Sequence, residues 1–216
     1  QDREACRRRG RDLMHIGVFA KTFAGTDPNT VLAACRQAGF DCVQYNMACS
    51  GLGALPETIP RDSAQQLTAA AQSCGIGIAA LSATYNMTDP DPARRCAGRT
   101  AFAAIAAFAE AIGCPMLTVC SGSLDPQDKW RRHPGNDDPA SWTDMCHEFE
   151  ILCAIAETHD ILIGVEPEPA NIVSSAARAA DLLASFAGSP IRVIIDPANL
   201  IEEVTPDRHQ HTLDEA

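Results

Sequence analysis

The sequence predicts an α/β protein built on a parallel β-sheet, and two patterns support this fold class. Short apolar runs rich in β-branched residues alternate with longer helical patterns along the chain. The helical patterns also carry the start and stop residues that are typical of helix ends. Such an alternation places parallel strands side by side, joined by right-handed helical crossovers. Both a doubly wound sheet and a (β/α)8 barrel satisfy it.

Six apolar runs are the predicted strands. In chain order they are His15–Ala20, Cys42–Asn46, Gly77–Thr84, Met116–Ser121, Leu162–Glu166 and Ile191–Asp196. They begin about 35 residues apart, so a barrel of eight units would need about 280 residues. The sequence has 216 residues. For a barrel we therefore expect a C-terminally incomplete TIM-barrel type, with about six of the eight β/α units.

Helices are predicted between the strands from their capping residues. Asp27 and Asp91 each precede a proline, so the carboxylate caps the helix and the proline occupies its first turn. Ser141 and Ser174 are the predicted caps of two later helices. Glycines follow four helices at the position that favours a left-handed backbone, namely Gly39, Gly75, Gly113 and Gly188.

Composition and charge exclude several classes of protein. The chain is 46% hydrophobic and 21% charged, which is ordinary for a globular domain. No stretch approaches the 18 or so apolar residues of a membrane span. Its 17 basic and 28 acidic residues give a net charge of −11, which disfavours nucleic acid as a partner. We therefore expect neither a membrane nor a nucleic-acid partner.

The ten cysteines indicate the cellular compartment. Most lie in apolar or helical runs and none forms a CxxC pair, which favours buried thiols in a reducing environment. We expect a cytoplasmic protein. Residues 1–13 contain five arginines and no apolar segment, and they are predicted to be a disordered basic leader. A single domain over residues 14–216 follows.

Carboxylates follow two of the predicted strands, where parallel folds bind their ligands. Glu166 and Glu168 lie at the end of the fifth strand, and Asp196 ends the sixth. Carboxylates that share one mouth repel each other unless a divalent cation or a shared proton compensates. Hard oxygen ligands favour Mg²⁺ or Mn²⁺, and an added histidine would admit Zn²⁺ or Co²⁺. Glu166 and Asp196 are the predicted metal ligands.

Six segments resemble a known family. The runs MHIGVFAKTF, FDCVQYN, LSATYNMTDPDP, KWRRHPGND, GVEPEPANIV and IIDPANL are similar to the xylose isomerase-like TIM barrels of the sugar phosphate isomerase/epimerase superfamily. The resemblance runs from Met14 to the end and implies a metal held by Glu, Asp, His and Glu after strands five to eight. Glu166 and Asp196 match the first two ligands by position. The other two would lie beyond Ala216, and His209 and His211 are poor substitutes.

The resemblance implies a sugar or sugar-phosphate isomerase or epimerase, with an expected homo-oligomeric state. Proton transfer next to a carbonyl would pass through an enediolate, with Glu166 as one member of a catalytic pair. The predicted substrate-binding residues are Asn46, Tyr85, Asn86, Arg131, His133, Glu168, Asn171 and Asn199. Two alternatives stay open: a catalytically impaired barrel that binds only metal or sugar, and a DNA repair nuclease of the endonuclease IV type, which the acidic charge disfavours.

The loop after the fourth strand is a further candidate for ligand binding. Residues 125–138 gather Lys129, Trp130, Arg131 and Arg132 in an otherwise acidic protein. Cationic and aromatic side chains together could recognise phosphate or carboxylate and cover a sugar ring. The alternative is a solvated loop in which Trp130 packs on a helix.

Overall fold

A computed structural model describes residues 14–196 and residue 199, and in it one parallel sheet forms the centre of the chain. Its strands are β1 (Gly17–Phe19), β2 (Cys42–Tyr45), β3 (Gly77–Ser82), β4 (Met116–Val119), β5 (Leu162–Val165) and β6 (Ile191–Val193). Each strand pairs in parallel with the next along the chain, so the spatial order is the sequence order. A doubly wound sheet would reverse direction at a switch point. The predicted TIM-barrel type, with six strands in the described residues, is therefore confirmed.

Five α-helices connect the strands. They are α1 (Pro28–Gln37), α2 (Ser63–Cys74), α3 (Pro92–Ile112), α4 (Pro139–Thr158) and α5 (Ala176–Ser185). Two predicted caps are confirmed, since a carboxylate oxygen of Asp27 accepts a hydrogen bond from the Thr30 amide and one of Asp91 accepts from the Ala93 amide, both at 2.9 Å.

Two predicted caps are wrong. Helix α4 begins at Pro139 after Asp138, and Ser141 lies in its first turn, where its hydroxyl donates to the Gly135 carbonyl at 2.7 Å. Helix α5 is capped by Ser175, whose hydroxyl accepts from the Arg178 amide at 3.2 Å, and Ser174 precedes the cap. A cap accepts from the amide two or three residues later, and the sequence pattern does not distinguish two adjacent serines.

The core lies between the sheet and the helix layer. On α3 the side chains of Phe102, Ile105 and Ala109 are fully buried, as their helical spacing predicts. Inside the sheet, the Gln44 amide donates to the Thr118 hydroxyl at 2.9 Å across the intervening strand. Its strand neighbours Val43 and Tyr45 are fully buried, while Gln44 itself is partly buried.

The described residues contain no disulfide bond and no helix of membrane-spanning character. The nine cysteines of the described part are free thiols, and five of them are buried: Cys35, Cys49, Cys114, Cys120 and Cys153. None of the helices in residues 14–196 combines the length and the apolar character needed to cross a membrane. The predicted leader, residues 1–13, and the histidines His209 and His211 lie outside the described residues.

Candidate functional site

Three acidic side chains and one amide meet at the carboxyl ends of β5 and β6. Glu166 directly follows β5, and its backbone amide still donates to the Val119 carbonyl at 3.1 Å, which extends the ladder with β4. The side-chain amide of Asn199 donates to Glu166 Oε1 at 2.7 Å and to Glu168 Oε1 at 3.0 Å. One neutral amide thus bridges two glutamates, and these predicted site residues lie together.

The charges of this group interact, which the pKa values show. Burial raises the pKa of Glu166, the charge of Asp196 raises it further, and the hydrogen bond from Asn199 lowers it. Burial also raises the pKa of Glu168 to about 7, with contributions from the charges of Glu166 and Asp196. This edge of the sheet therefore favours a bound proton or a cation.

The donor set fits a divalent cation in part. Glu166 and Asp196 supply carboxylate oxygens, which are the ligands that Mg²⁺ and Mn²⁺ prefer. Within residues 14–196, no three His, Cys, Asp or Glu side chains are grouped closely enough to hold a metal by themselves. The described residues therefore supply two carboxylate donors.

Three predicted sugar-binding amides hold loops in place. Asn46 accepts from the Ala48 amide at 3.0 Å and caps the short 3-10 helix Met47–Ser50. Asn86 donates to the Ser123 carbonyl at 2.8 Å and accepts from the Ser123 amide at 3.0 Å. The two Asn86 contacts tie the loop after β3 to the loop after β4.

Asn171 ties the loop after β5 to the loop after β4. It is fully buried; its Oδ1 accepts from the Gly122 amide at 2.8 Å and its Nδ2 donates to the Lys129 carbonyl at 3.0 Å. Both ends of its amide are occupied by backbone groups. The geometry gives Asn171 a positioning role, and its predicted contact with substrate stays a prediction.

The Tyr85 side chain packs between α3, at Gly98, and α4, at Glu148. Its hydroxyl donates to Glu148 Oε1 at 2.7 Å, and Arg99 donates to Glu148 Oε2 at 2.8 Å. Burial and the hydrogen bond to Glu148 raise the pKa of Tyr85. Sequence reasoning missed Glu148; the available signal is a lone carboxylate inside the otherwise apolar buried face of α4.

Hydrogen bonds and an ion pair among its own polar groups hold the loop after β4 in place. Asp125 accepts from the Gln127 and Asp128 amides, both at 2.9 Å, and its other oxygen lies 3.4 Å from the Arg131 guanidinium. His133 Nδ1 accepts from the Gly135 amide at 3.1 Å. The predicted substrate contacts Arg131 and His133 therefore both have partners inside the loop.

Trp130 is 49% exposed, so about half of its surface is covered by the protein. Trp142, on α4, has the Arg178 guanidinium 4.0 Å from its ring centroid. Beside Trp130 opens a cleft of about 340 Å³. A cleft of about 360 Å³ lies at the opposite end of the sheet, where Gly77 begins β3, away from the carboxylates.

Cys120 is a buried thiol beside the carboxylates that sequence reasoning assigned to the core. Burial raises its pKa to about 12; the Lys129 charge lowers it, while Glu168 and Glu166 raise it. A raised thiol pKa disfavours the thiolate, which is the nucleophilic form of cysteine.

Known proteins resemble this chain in sequence family and in fold. Residues 32–214 match the family model of xylose isomerase-like TIM barrels. No curated protein sequence matches the chain. The solved 3-keto-D-glucoside 4-epimerase of E. coli superposes with a TM-score of 0.71 at 16% identity, over 94% of this chain and 76% of that chain.

Two further structures are similar. D-allulose 3-epimerase of Methylomonas sp. has a TM-score of 0.67 at 17% identity, over 93% of this chain and 70% of that chain. A xylose isomerase-like TIM barrel protein of Mycobacterium smegmatis, in complex with magnesium, has a TM-score of 0.66 at 12% identity, over 94% of this chain and 72% of that chain. At these identities the likeness establishes the fold.

Proposed function

The chain belongs to the family of xylose isomerase-like TIM barrels, and from this premise we propose that it is a metal-dependent sugar isomerase or epimerase. The observation that carries the proposal is the cluster of Glu166, Glu168 and Asp196 at the carboxyl ends of two neighbouring strands. Sugar epimerases among the structurally similar proteins support the same class of reaction. The net charge of −11 argues against the nuclease alternative.

Glu166 and Asp196 would hold the divalent cation, for which Mn²⁺, Mg²⁺, Co²⁺ and Zn²⁺ are the candidates. A bound cation polarises a carbonyl and stabilises negative charge on its oxygen. In this proposal Glu166 takes the proton from the carbon next to the carbonyl.

Glu168 and Asn199 act around Glu166. With a pKa of about 7, Glu168 exists in both protonation states near neutral pH and can exchange a proton with a sugar hydroxyl. Asn199 donates to both glutamates and so fixes the direction in which each carboxylate points. Orientation of the base relative to the carbon is a large part of the rate of such a step.

A thermal unfolding experiment tests the metal site. A cation that binds only the folded state stabilises it by about 2.7 kcal/mol at a concentration a hundred times its Kd. We expect added Mn²⁺ to raise the Tm above that in EDTA, and Glu166→Gln and Asp196→Asn to abolish the rise. The control is Glu150→Gln, which removes an exposed carboxylate of α4. A rise that persists in Glu166→Gln would overturn the assignment.

Proton exchange tests the chemistry separately. The wild-type chain is incubated in D2O with a panel of ketohexoses, and deuterium at the carbon next to the carbonyl is measured by NMR. Incorporation that requires both metal and Glu166 supports the isomerase. Metal binding without exchange would instead favour the impaired barrel that binds only metal or sugar.

A further inference from the structure

An exposed tryptophan lies on the hydrogen-bonded loop after β4. The Asp125 carboxylate fixes residues 127 and 128, and Asp128 accepts from the Trp130 amide at 2.9 Å. Asp125 is 9% exposed, while the Trp130 side chain it helps to position is 49% exposed. A loop whose buried polar groups are satisfied and whose largest apolar side chain faces solvent is typical of a binding surface.

The cleft next to Trp130 has the size and lining of a ligand site. Its volume of about 340 Å³ falls within the range of about 300–1,000 Å³ that is usual for small-molecule pockets. Asn86, Gln127 and Lys129 contribute polar groups beside the indole. A second cleft of about 300 Å³ shares Asn86 and Lys129 with it, so the two adjoin.

The charges of the cleft favour an uncharged ligand over a phosphate. Its Arg94 guanidinium donates to the Pro126 carbonyl at 2.8 Å and lies 3.5 Å from the Asp89 carboxylate. The Lys129 ammonium donates to the Thr84 carbonyl at 3.0 Å. Three carboxylates, those of Asp89, Asp125 and Asp128, line the same cleft against two cations. A phosphate would meet repulsion from these carboxylates, whereas hydroxyl groups can pair with either sign.

We propose that the Trp130 cleft binds an uncharged sugar ring. The Lys129 ammonium lies 5.2 Å from the centroid of the Trp130 ring, and the exposed part of the indole provides apolar contact for the ring carbons. Gln127 and the aspartates of the lining pair with the sugar hydroxyls. The choice of a sugar as the occupant rests on the proposed function, while recognition of the ring uses only the residues of the cleft.

A single-tryptophan variant tests the cleft directly. The sequence holds two tryptophans, so Trp142→Phe leaves Trp130 as the only one while keeping an aromatic face for Arg178. Its fluorescence is titrated in EDTA with the neutral disaccharides cellobiose and maltose and, in parallel, with glucose 6-phosphate. We expect a saturable change with at least one disaccharide and a weaker response, or none, with the sugar phosphate.

Calorimetry provides the second measurement, and it does not depend on Trp142→Phe folding correctly. Trp130→Ala should weaken binding of the responding disaccharide about tenfold, which is the loss expected for one aromatic platform. Trp130→Phe is the matched control and should retain most of the affinity. Binding unaffected by Trp130→Ala, absence of binding by both disaccharides, or tighter binding of glucose 6-phosphate would each overturn the proposal.

These outcomes are separate from failure of the proposed function. EDTA removes metal, so binding in the cleft does not require the carboxylate site to be loaded. If no deuterium exchange occurs but cellobiose or maltose binds through Trp130, the cleft stands and the isomerase fails. If exchange occurs and the disaccharides do not bind, the isomerase stands and the subsite fails.

Discussion

Replacing Gly98 by alanine should destabilise the protein, although alanine has the higher helix propensity of the two residues. Inside a helix, glycine is normally less stable than alanine by about 0.5–1 kcal/mol. A Cβ at residue 98, however, would lie 2.1 Å from Cδ2 of the Tyr85 ring. That ring cannot withdraw easily, because it is buried and its hydroxyl is bonded to Glu148 at 2.7 Å.

The expected magnitude follows from the two opposing terms. Overpacking of a core costs about 1–3 kcal/mol, which exceeds the gain in helix propensity. We expect a net loss of about 1–2 kcal/mol, or about 2–4 °C in Tm for each kcal/mol at this chain length. Urea unfolding followed by circular dichroism measures the loss. Ala97→Gly, at the exposed neighbouring position, is the control for helix propensity and should cost about 1 kcal/mol.

A double-mutant cycle separates the clash from other causes. In the Tyr85→Ala background the ring is absent, so Gly98→Ala should become neutral or stabilising, with a coupling energy of at least about 1 kcal/mol. Stabilisation of the parent protein by Gly98→Ala would refute the argument.

Two further predictions concern the site and its loops. The pKa of Glu168, raised to about 7 from its ordinary 4.5, means that the folded state resists losing this proton; stability in EDTA should therefore fall as pH rises from about 4.5 to 7. Glu168→Gln should remove the contribution of Glu168 to that fall. After allowance for solvent screening, we expect its free energy of unfolding to exceed that of the parent by about 1–2 kcal/mol at pH 8 and to equal it at pH 4. Urea unfolding at the two pH values measures the difference. An equal gain at both pH values would contradict this. Gly122 has a φ of +77°, and a Cβ added there would lie 2.1 Å from Asn86 Oδ1. We therefore expect Gly122→Ala to lower the free energy of unfolding by more than about 2 kcal/mol, as measured by thermal unfolding. Gly188→Ala, at φ +83° with open space around it, should cost only the backbone strain of about 1 kcal/mol, and equal losses at the two glycines would show that Asn86 yields.

The strands and the carboxylates could be predicted because both depend on local pattern. The apolar run of the fifth strand ends immediately before Glu166. Because parallel strands have their carboxyl ends at one edge of the sheet, the carboxylates that follow neighbouring strands are expected to lie close together. Strand limits were less predictable: the first strand is observed at Gly17–Phe19 within the expected His15–Ala20. A 3-10 helix at Ala20–Thr22 follows this strand directly, and the apolar run does not show where pairing stops.

The roles of the amides could not be predicted from the sequence. An asparagine side chain has both donors and an acceptor, so it can pair with a sugar hydroxyl or with a backbone peptide equally well. Asn171 and Asn86 are paired with backbone groups because the loops after β3, β4 and β5 approach closely at Gly122 and Ser123. That approach is a property of the tertiary fold, and residue types in the sequence do not contain it.

Asn199 differs from these amides, because it bridges two glutamates without adding a positive charge. A lysine at this position would compensate one of the two negative charges. The neutral amide instead donates one hydrogen to Oε1 of Glu166 and one to Oε1 of Glu168. Each carboxylate has a second oxygen that this bridge leaves unused. Glu166 can therefore accept a cation or a proton through Oε2 while Asn199 keeps it in place, and the negative potential that attracts the cation is preserved.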